Sequence, residues 1–228
     1  MKNNGREYHA DSCNTHFCGA VLSAGQFQQF HSGGAAADIR EFGSHNAGLT
    51  NTLRCFGKGC AALTLVGDLA KGIVAVLLSK GICELLGTGL TAQNDVHFIG
   101  YIAGIFAILG HVFPIYYHFK GGKGVLVGVS VFLGIDWKVF LCLIVIFAVV
   151  LAISKYVSLG SIIAAACCPV VTFLFQFWQR GDLPMWYIWL NTGLAALMGA
   201  WVIYMHRTNI QRLKAGNENK FSFHSKKA

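Results

Sequence analysis

The sequence predicts an all-α integral membrane protein folded as a compact helical bundle, and three observations carry the prediction. Of its 228 residues, 54% are hydrophobic and only 12% charged, about half the charged share of a soluble domain. The apolar residues fall in runs that approach the roughly 20 residues a bilayer-spanning helix needs. The basic residues behind the net charge of +8 stand at the ends of those runs and in the C-terminal stretch, where anionic lipid headgroups are nearer partners than nucleic acid. A chain of this length holds roughly five to seven such helices and no separate soluble domain. One membrane domain is therefore expected, in contact with membrane lipid and with no nucleic-acid partner.

Residues 1–37 are polar and carry His, Gln, Gly and Ala, and the mildly apolar stretch from Phe17 to Leu22 is too short for a signal-peptide core or a span. A disordered or loose surface segment is expected there. Residues 38–59 mix small hydroxyl and amide side chains with glycines ahead of Arg54, the composition of a polar loop that caps a helix and offers many donors. Residues 60–86 form the first span, interrupted by Asp68 and Lys71, which at this spacing share a helix face. Charges at membrane depth are expected to pair or to line a polar cavity.

Residues 87–95 make a turn without Lys or Arg. Further spans cover 96–118, a short 125–135, 137–153, 158–177 and 184–205, with basic connectors at 119–124 and 154–157. Arg207, Arg212, Lys214, Lys220, Lys226 and Lys227 follow the last span, so the positive-inside rule places the C-terminus, including a basic tail at 221–228, in the cytoplasm. If 125–135 crosses the membrane, then 206–228, 154–157, 119–124 and 38–59 all share that face. The topology rests on this eleven-residue segment, and a short segment at membrane depth is tolerated where other protein buries it or where it lines a cavity.

Chemistry concentrates in three polar stretches besides 38–59. Residues 110–124 end an aromatic apolar run in glycines threaded by Lys120 and Lys123, so bare backbone N–H groups and ammonium donors crowd together as in an anion site. The competing reading is a tight turn with lysines serving as topology signals and headgroup anchors. A nucleotide P-loop is excluded, because Tyr117 and Gly124 occupy positions where that motif needs a glycine and a hydroxyl. Residues 154–161 carry Ser158 and Ser161. In 206–218, His206 and Asn209 recur at helical spacing and point to one place just below the membrane; alternatively the stretch is a basic amphipathic tail on anionic lipid. The eight cysteines show no C-x-x-C pair, and Cys13-x-x-His16-x-Cys18 with His9 lacks the second ligand pair of a structural zinc site, so no metal is expected.

Together, Asp38–Arg54 with Gly67-Asp68 and Lys71-Gly72, Gly110-His111 through Phe119-Lys120-Gly121-Gly122-Lys123-Gly124, Tyr156–Ser161, and His206–Glu218 resemble, in order, the acyl-phosphate-dependent glycerol-3-phosphate acyltransferases of bacterial membranes. The resemblance covers roughly residues 38–220, taken as the membrane acyltransferase domain. It implies seven membrane helices with the motifs meeting at the cytoplasmic face of the cell membrane. It implies transfer of an acyl group from acyl phosphate to the 1-hydroxyl of sn-glycerol 3-phosphate, giving lysophosphatidic acid and phosphate in phospholipid synthesis, without a cofactor.

By the same resemblance Ser44, Arg54, Lys123, His206 and Asn209 form the catalytic set. Asn46, Thr50, Asn51, Gly121, Gly122, Gly124, His111, Ser158 and Ser161 bind substrate or phosphate. Both substrates carry phosphate, so cations and amide donors suit them, and the good leaving group of a mixed anhydride removes the need for a covalent acyl-enzyme. His111 and His206 are the titratable candidates for taking the hydroxyl proton, with a substrate phosphate oxygen as the other acceptor. The His-x-x-x-x-Asp motif of acyltransferases that use acyl-CoA or acyl-carrier protein is absent.

The chain departs from the family pattern at two places. His45 stands where the family carries a glycine, and an imidazole there is expected to demand an unfavourable φ or to block approach to the backbone. The family's first membrane helix has no counterpart before Asp38, which raises the expectation of a frameshift or a mispredicted start upstream. A small anion-binding transporter, or a catalytically inactive relative, is the competing function.

Overall fold

The computed structural model describes residues 29–32, 35–85, 97–179, 181 and 183–221. The His9, Cys13, His16 and Cys18 grouping, Lys226, Lys227 and the whole 87–95 turn lie outside the described residues. A short antiparallel hairpin, β1 (Gln29–Ser32) and β2 (Ala35–Asp38), precedes the helices. It falls within the polar N-terminal stretch, and its pairing was not legible in that composition. The helices are α1 (Leu49–Leu85), α2 (His97–Val112), α3 (Val125–Ile135), α4 (Trp137–Ser154), α5 (Val157–Gln179), α6 (Met185–Met205) and α7 (Arg207–Lys214).

The expected spans and the observed helices agree closely from α3 onward; the start of α1 and the end of α2 differ. Helix α1 begins eleven residues before the expected start at residue 60, inside the stretch read as polar loop. Its first two turns are held by packing that periodicity could not reveal: Asn51 and Thr52 are buried, and Thr52 Oγ1 donates to the Gly48 carbonyl at 3.2 Å. Gly57, at φ 80° and ψ −173°, then breaks the helix, a conformation that a residue with a Cβ adopts only under strain. Helix α2 stops at Val112 rather than residue 118, because Pro114 cannot continue it and a 3-10 turn at Ile115–Tyr117 follows.

Helix α3 is the buried centre of the bundle and explains how so short a segment is stable at membrane depth. At about 1.5 Å per residue it is far shorter than the roughly 30 Å hydrocarbon core, yet Val127, Gly128, Ser130, Val131, Phe132 and Ile135 are all buried, in contact with α1, α2, α4 and α6. Close approach needs small residues on the partners. A Cβ on Gly72 would lie 2.0 Å from Ser130 Oγ, and one on Gly104 would lie 2.4 Å from Val131 Cγ1. Around it the core gathers Val76, Tyr101, Ile108, Leu143, Cys168, Ala195 and Met198. The outside is apolar in the manner of a lipid-facing surface: Trp137, Leu141, Val145, Val149 and Ile153 are exposed at every fourth position along α4.

The bundle has two chemically distinct ends. At one, Lys80 Nζ donates to the Gly134 carbonyl at 2.9 Å, Lys138 Nζ donates to Gln179 Oε1 at 2.6 Å, and the Phe98 N–H donates to Tyr187 Oη at 3.1 Å. These contacts gather the C-terminal ends of α1, α3 and α5 with the N-terminal ends of α2, α4 and α6. The opposite end therefore collects 38–54, 111–124, 154–161 and 206–221, the grouping that parity along the sequence requires.

Candidate active site

The first polar loop is fastened by one side chain. Asn51 Nδ2 donates to the Phe42 carbonyl at 3.0 Å and the Asn46 carbonyl at 3.1 Å, while its Oδ1 accepts the Ser44 N–H at 2.9 Å. A second fastening comes from Arg40, which pairs with Asp38 at 2.7 Å, donates to the Lys120 carbonyl at 2.8 Å and covers the Tyr117 ring. The loop of 38–48 is thereby tied to the loop of 113–124. Asn51, expected to bind substrate, has its amide committed to this loop.

His45 has φ 56°, the left-handed conformation expected for a residue replacing glycine. Its imidazole does not obstruct the site, however. The ring is exposed, its Nδ1 lies 2.8 Å from the Arg40 carbonyl oxygen, and it is not among the residues that line the cavity described next.

A cavity of about 310 Å³ opens among these loops and the adjoining helix ends. Of the residues expected from the sequence, Ser44, Arg54, Lys123, His206, Asn209, Asn46, Thr50, Asn51, Gly124, His111, Ser158 and Ser161 line it, and Gly121 and Gly122 do not. Those two glycines sit one layer behind. A Cβ on Gly121 would lie 2.0 Å from the His111 carbonyl oxygen, and one on Gly122 would lie 2.3 Å from His111 Nε2. Their small size allows the loop to pack closely on His111.

Three charged lining residues were missed as site members: Asp68, Arg212 and Glu218. For Asp68 the signal was present, a charge inside a span that needs a partner. Its Oδ1 accepts Lys71 Nζ at 3.0 Å and lies 3.5 Å from His111 Nδ1. Arg212 read as one more lipid-facing base. Glu218, an acid amid basic residues, gave no periodic signal because a turn at Gly216, with φ 71°, carries the chain back from α7.

Glu218 is the hub of this end. Its Oε1 accepts Ser158 Oγ at 2.9 Å and Asn209 Nδ2 at 2.7 Å, and its Oε2 accepts Arg212 Nε at 2.7 Å. Burial alone would raise its pKa, but the hydrogen bonds from Arg212, Asn209 and Ser158, with the charge of Arg212, outweigh it and hold the carboxyl below its ordinary value. Asn209 in turn accepts the Lys123 ammonium on its Oδ1. Burial and the nearby Arg212 charge lower the Lys123 pKa to about 8, against the opposing pull of Glu218. Lys123 is thus a cation kept short of counter-charge. Arg54 is exposed at the cavity wall and has no ion-pair partner among the described residues.

His206 links α6 to α7. Burial pulls its pKa down to about 4; the hydrogen bond to the Val202 carbonyl and the Glu218 charge oppose this, and Lys123 adds to it. At neutral pH the ring is uncharged. With Nδ1 2.7 Å from the Val202 oxygen, the proton belongs on Nδ1, and Nε2 carries the lone pair.

A second cavity, about 110 Å³, shares Val125, Leu126, Phe147 and Ser161 with the first and continues among Ile108, Phe132, Leu143, Cys168, Met198 and Val202. Its walls are almost wholly apolar. A polar, cationic chamber therefore runs into a hydrocarbon-like one between α2, α3, α4, α5 and α6.

Fold and site together define a multi-pass membrane protein whose polar end presents cations beside an apolar groove. A family model for glycerol-3-phosphate acyltransferase matches residues 17–216, and the chain belongs to that acyltransferase family. The match begins upstream of Asp38, before the first stretch in which the resemblance is legible by eye. The glycerol-3-phosphate acyltransferase of Clostridioides difficile (strain 630) is 39% identical over 186 residues, covering 82% of this chain and 83% of the relative. That of Prochlorococcus marinus (strain MIT 9312) is 40% identical, covering 81% and 84%. Among solved structures, PlsY (YgiH), an integral membrane glycerol 3-phosphate acyltransferase, aligns in its glycerol 3-phosphate form with a TM-score of 0.65 and 32% identity, over 82% of this chain and 83% of that one. Its lysophosphatidic acid form aligns with a TM-score of 0.62 and 31% identity, over 78% and 81%.

Proposed function

We propose that the chain transfers an acyl group from acyl phosphate to the 1-hydroxyl of sn-glycerol 3-phosphate, releasing 1-acyl-glycerol 3-phosphate and inorganic phosphate. The observation that carries this reading is the juxtaposition of Arg54 and Lys123, cations from different elements, around one cavity that continues into an apolar one. Each substrate brings a phosphate, and the donor adds a hydrocarbon chain, so the two chambers match both ends of the reaction. The relatives are named for glycerol-3-phosphate acylation, and PlsY has been solved with glycerol 3-phosphate and with lysophosphatidic acid, which supports the acceptor and the product.

In this reading the 1-hydroxyl oxygen attacks the acyl carbonyl, the carbon–oxygen bond to phosphate breaks, and the hydroxyl proton leaves with the phosphate. His206, with a pKa of about 4, is too weak a base to hold that proton at neutral pH, so its Nε2 orients the hydroxyl while a phosphate oxygen accepts. Arg54 and Lys123 neutralise the departing phosphate, and Ser44 and Asn46 supply neutral donors. Positioning and charge stabilisation account for the acceleration.

The polar end belongs on the cytoplasmic side of a bacterial cell membrane: Lys58, Lys120, Lys155, Arg207, Arg212 and Lys214 gather there, as the positive-inside rule requires. Residues 38–220 carry the acyltransferase motifs, the family match extends upstream to residue 17, and 221–228 is a basic tail. The test is phosphate release by purified protein from acyl phosphate. It should depend on added glycerol 3-phosphate, fail with acyl-CoA, and fall at least a hundredfold in Arg54→Ala and Lys123→Ala. Glycerol-3-phosphate binding without turnover would replace this reading with an anion-binding membrane protein.

A further inference from the structure

Asp68 is the one acid of the long first helix that is both buried and turned to the cavity, and the mechanism above leaves it unused. It is 4% exposed and His111 5%, in a part of the bundle where an ionised carboxylate is costly unless it is paired to a purpose. Lys71 at 3.0 Å provides a charge partner. That pair joins two residues of the same helix and ties Asp68 to no other element. The second neighbour is different in kind: His111 Nδ1, 3.5 Å away, belongs to the last turn of α2.

The other side of the same imidazole meets the glycine loop. A Cβ on Gly122 would stand 2.3 Å from His111 Nε2 and 3.1 Å from the Ala47 carbonyl oxygen, so the loop backbone is wedged between the ring and the first polar loop. The next residue is Lys123, whose ammonium bonds Asn209. A continuous line of contacts therefore runs from an α1 carboxylate through an imidazole to the backbone that aims the catalytic cation. An imidazole with a carboxylate at one nitrogen has its tautomer and ring plane set by it, and a ring rotated out of place would displace Gly122.

We propose that Asp68 is a positioning residue for anion binding: it orients His111, and through the ring it holds Gly122 and Lys123 against the substrate phosphate. The proposal rests on the reading of this cavity as the phosphate site, but not on the chemistry of acyl transfer. Asp68→Asn keeps the shape and an acceptor oxygen while losing the charge. Lys71→Met removes the ion pair and leaves the carboxylate to His111.

The experiment measures binding of inorganic phosphate and of glycerol 3-phosphate to purified full-length parent, Asp68→Asn and Lys71→Met by calorimetry. It adds KM and kcat with acyl phosphate, and the imidazole nitrogen NMR shifts of His111 assigned by comparison with His111→Gln. Expected are affinity loss and a KM rise of at least tenfold in Asp68→Asn with kcat within threefold, shifted His111 nitrogens, and Lys71→Met within threefold of parent throughout. Should Asp68→Asn fail to fold, Asp68→Asn/Lys71→Met, which leaves no unpaired lysine, takes its place with the same expected values. Equal effects in the two single variants, or unchanged phosphate affinity in Asp68→Asn, would overturn the proposal and leave an ordinary ion pair. A parent that binds phosphate but does not turn over removes the acyltransferase reading, and the binding arms still decide the role of Asp68. A parent that binds neither anion removes both.

Discussion

Asn209 joins two opposite charges: its Nδ2 donates to Glu218 Oε1 at 2.7 Å, and its Oδ1 accepts the Lys123 ammonium. Because both amide ends are engaged, the carboxylate and the ammonium are held at a fixed separation without neutralising one another by direct contact. A substrate phosphate can then meet Lys123 without first displacing Glu218. Truncating Glu218→Ala leaves Arg212, Asn209 and Ser158 without their acceptor. A lost hydrogen bond to a charged group costs about 1.5–3 kcal/mol, so thermal unfolding in detergent should show a loss of that order.

The Glu218 pKa is lowered in the folded state. Its contribution is therefore present above the unfolded carboxyl value and is lost as pH falls through the folded one, below about 4.5. Glu218→Gln should keep the hydrogen bonds from Ser158 and Asn209 and flatten this acid limb in melts recorded between about pH 3 and 7. A Glu218→Gln limb as steep as the parent's would remove the assignment.

Lys123 sets an alkaline boundary. Its pKa of about 8 in the free protein means that the ammonium is lost as pH rises through that value, and anion affinity should fall with it. Binding an anion raises the same pKa, so protons should be taken up on binding near pH 8. Affinity for glycerol 3-phosphate measured from about pH 6.5 to 10 should decline about tenfold per unit above 8 where this charge is required. Lys123→Arg, charged throughout, should move the decline beyond the range even if its affinity is lower. A flat parent profile would mean that phosphate is held by Arg54 alone.

Much of this site was legible in the sequence because its donors lie in compact stretches, and the sequence carries their order directly. Spans α3 to α6 were legible because apolar runs between charged connectors have little freedom of interpretation. The first turns of α1 were not, since Asn51 and Thr52 look like loop residues until the segment 39–48 wraps over them. The packing of Gly121 and Gly122 on His111 was not legible, because a glycine that makes room for a ligand and one that makes room for a side chain are the same letter. Glu218 was hidden for a related reason: its role depends on a reversal at Gly216 that local periodicity does not encode.

The apolar cavity makes a prediction about the donor. Ala164 on α5 lines it, one turn of helix from Ser161, which lines both chambers. Ala164→Leu would intrude where an extended hydrocarbon passes. Each methylene excluded from an apolar site forfeits about 0.8 kcal/mol, so displacing two to three of them should lower kcat/KM for a sixteen-carbon acyl phosphate by roughly 10- to 50-fold. An eight-carbon donor should be affected much less. Equal losses for both would point to general misfolding of α5, and no loss for either would place the chain outside this cavity.

His45 offers a test of the chain's departure from the family's glycine. Its φ of 56° lies in the left-handed region, which costs a residue with a Cβ roughly 1–2 kcal/mol relative to glycine. The bond between His45 Nδ1 and the Arg40 carbonyl is exposed and offsets only part of that. Since His45 does not line the cavity, relieving the strain should not change the chemistry. His45→Gly is therefore expected to raise stability by about 0.5–1 kcal/mol, with KM and kcat for both substrates within twofold of the parent. Thermal melts and steady-state kinetics on the same preparation decide it. A large gain in activity without a gain in stability would mean that the imidazole does enter the site when substrate is bound.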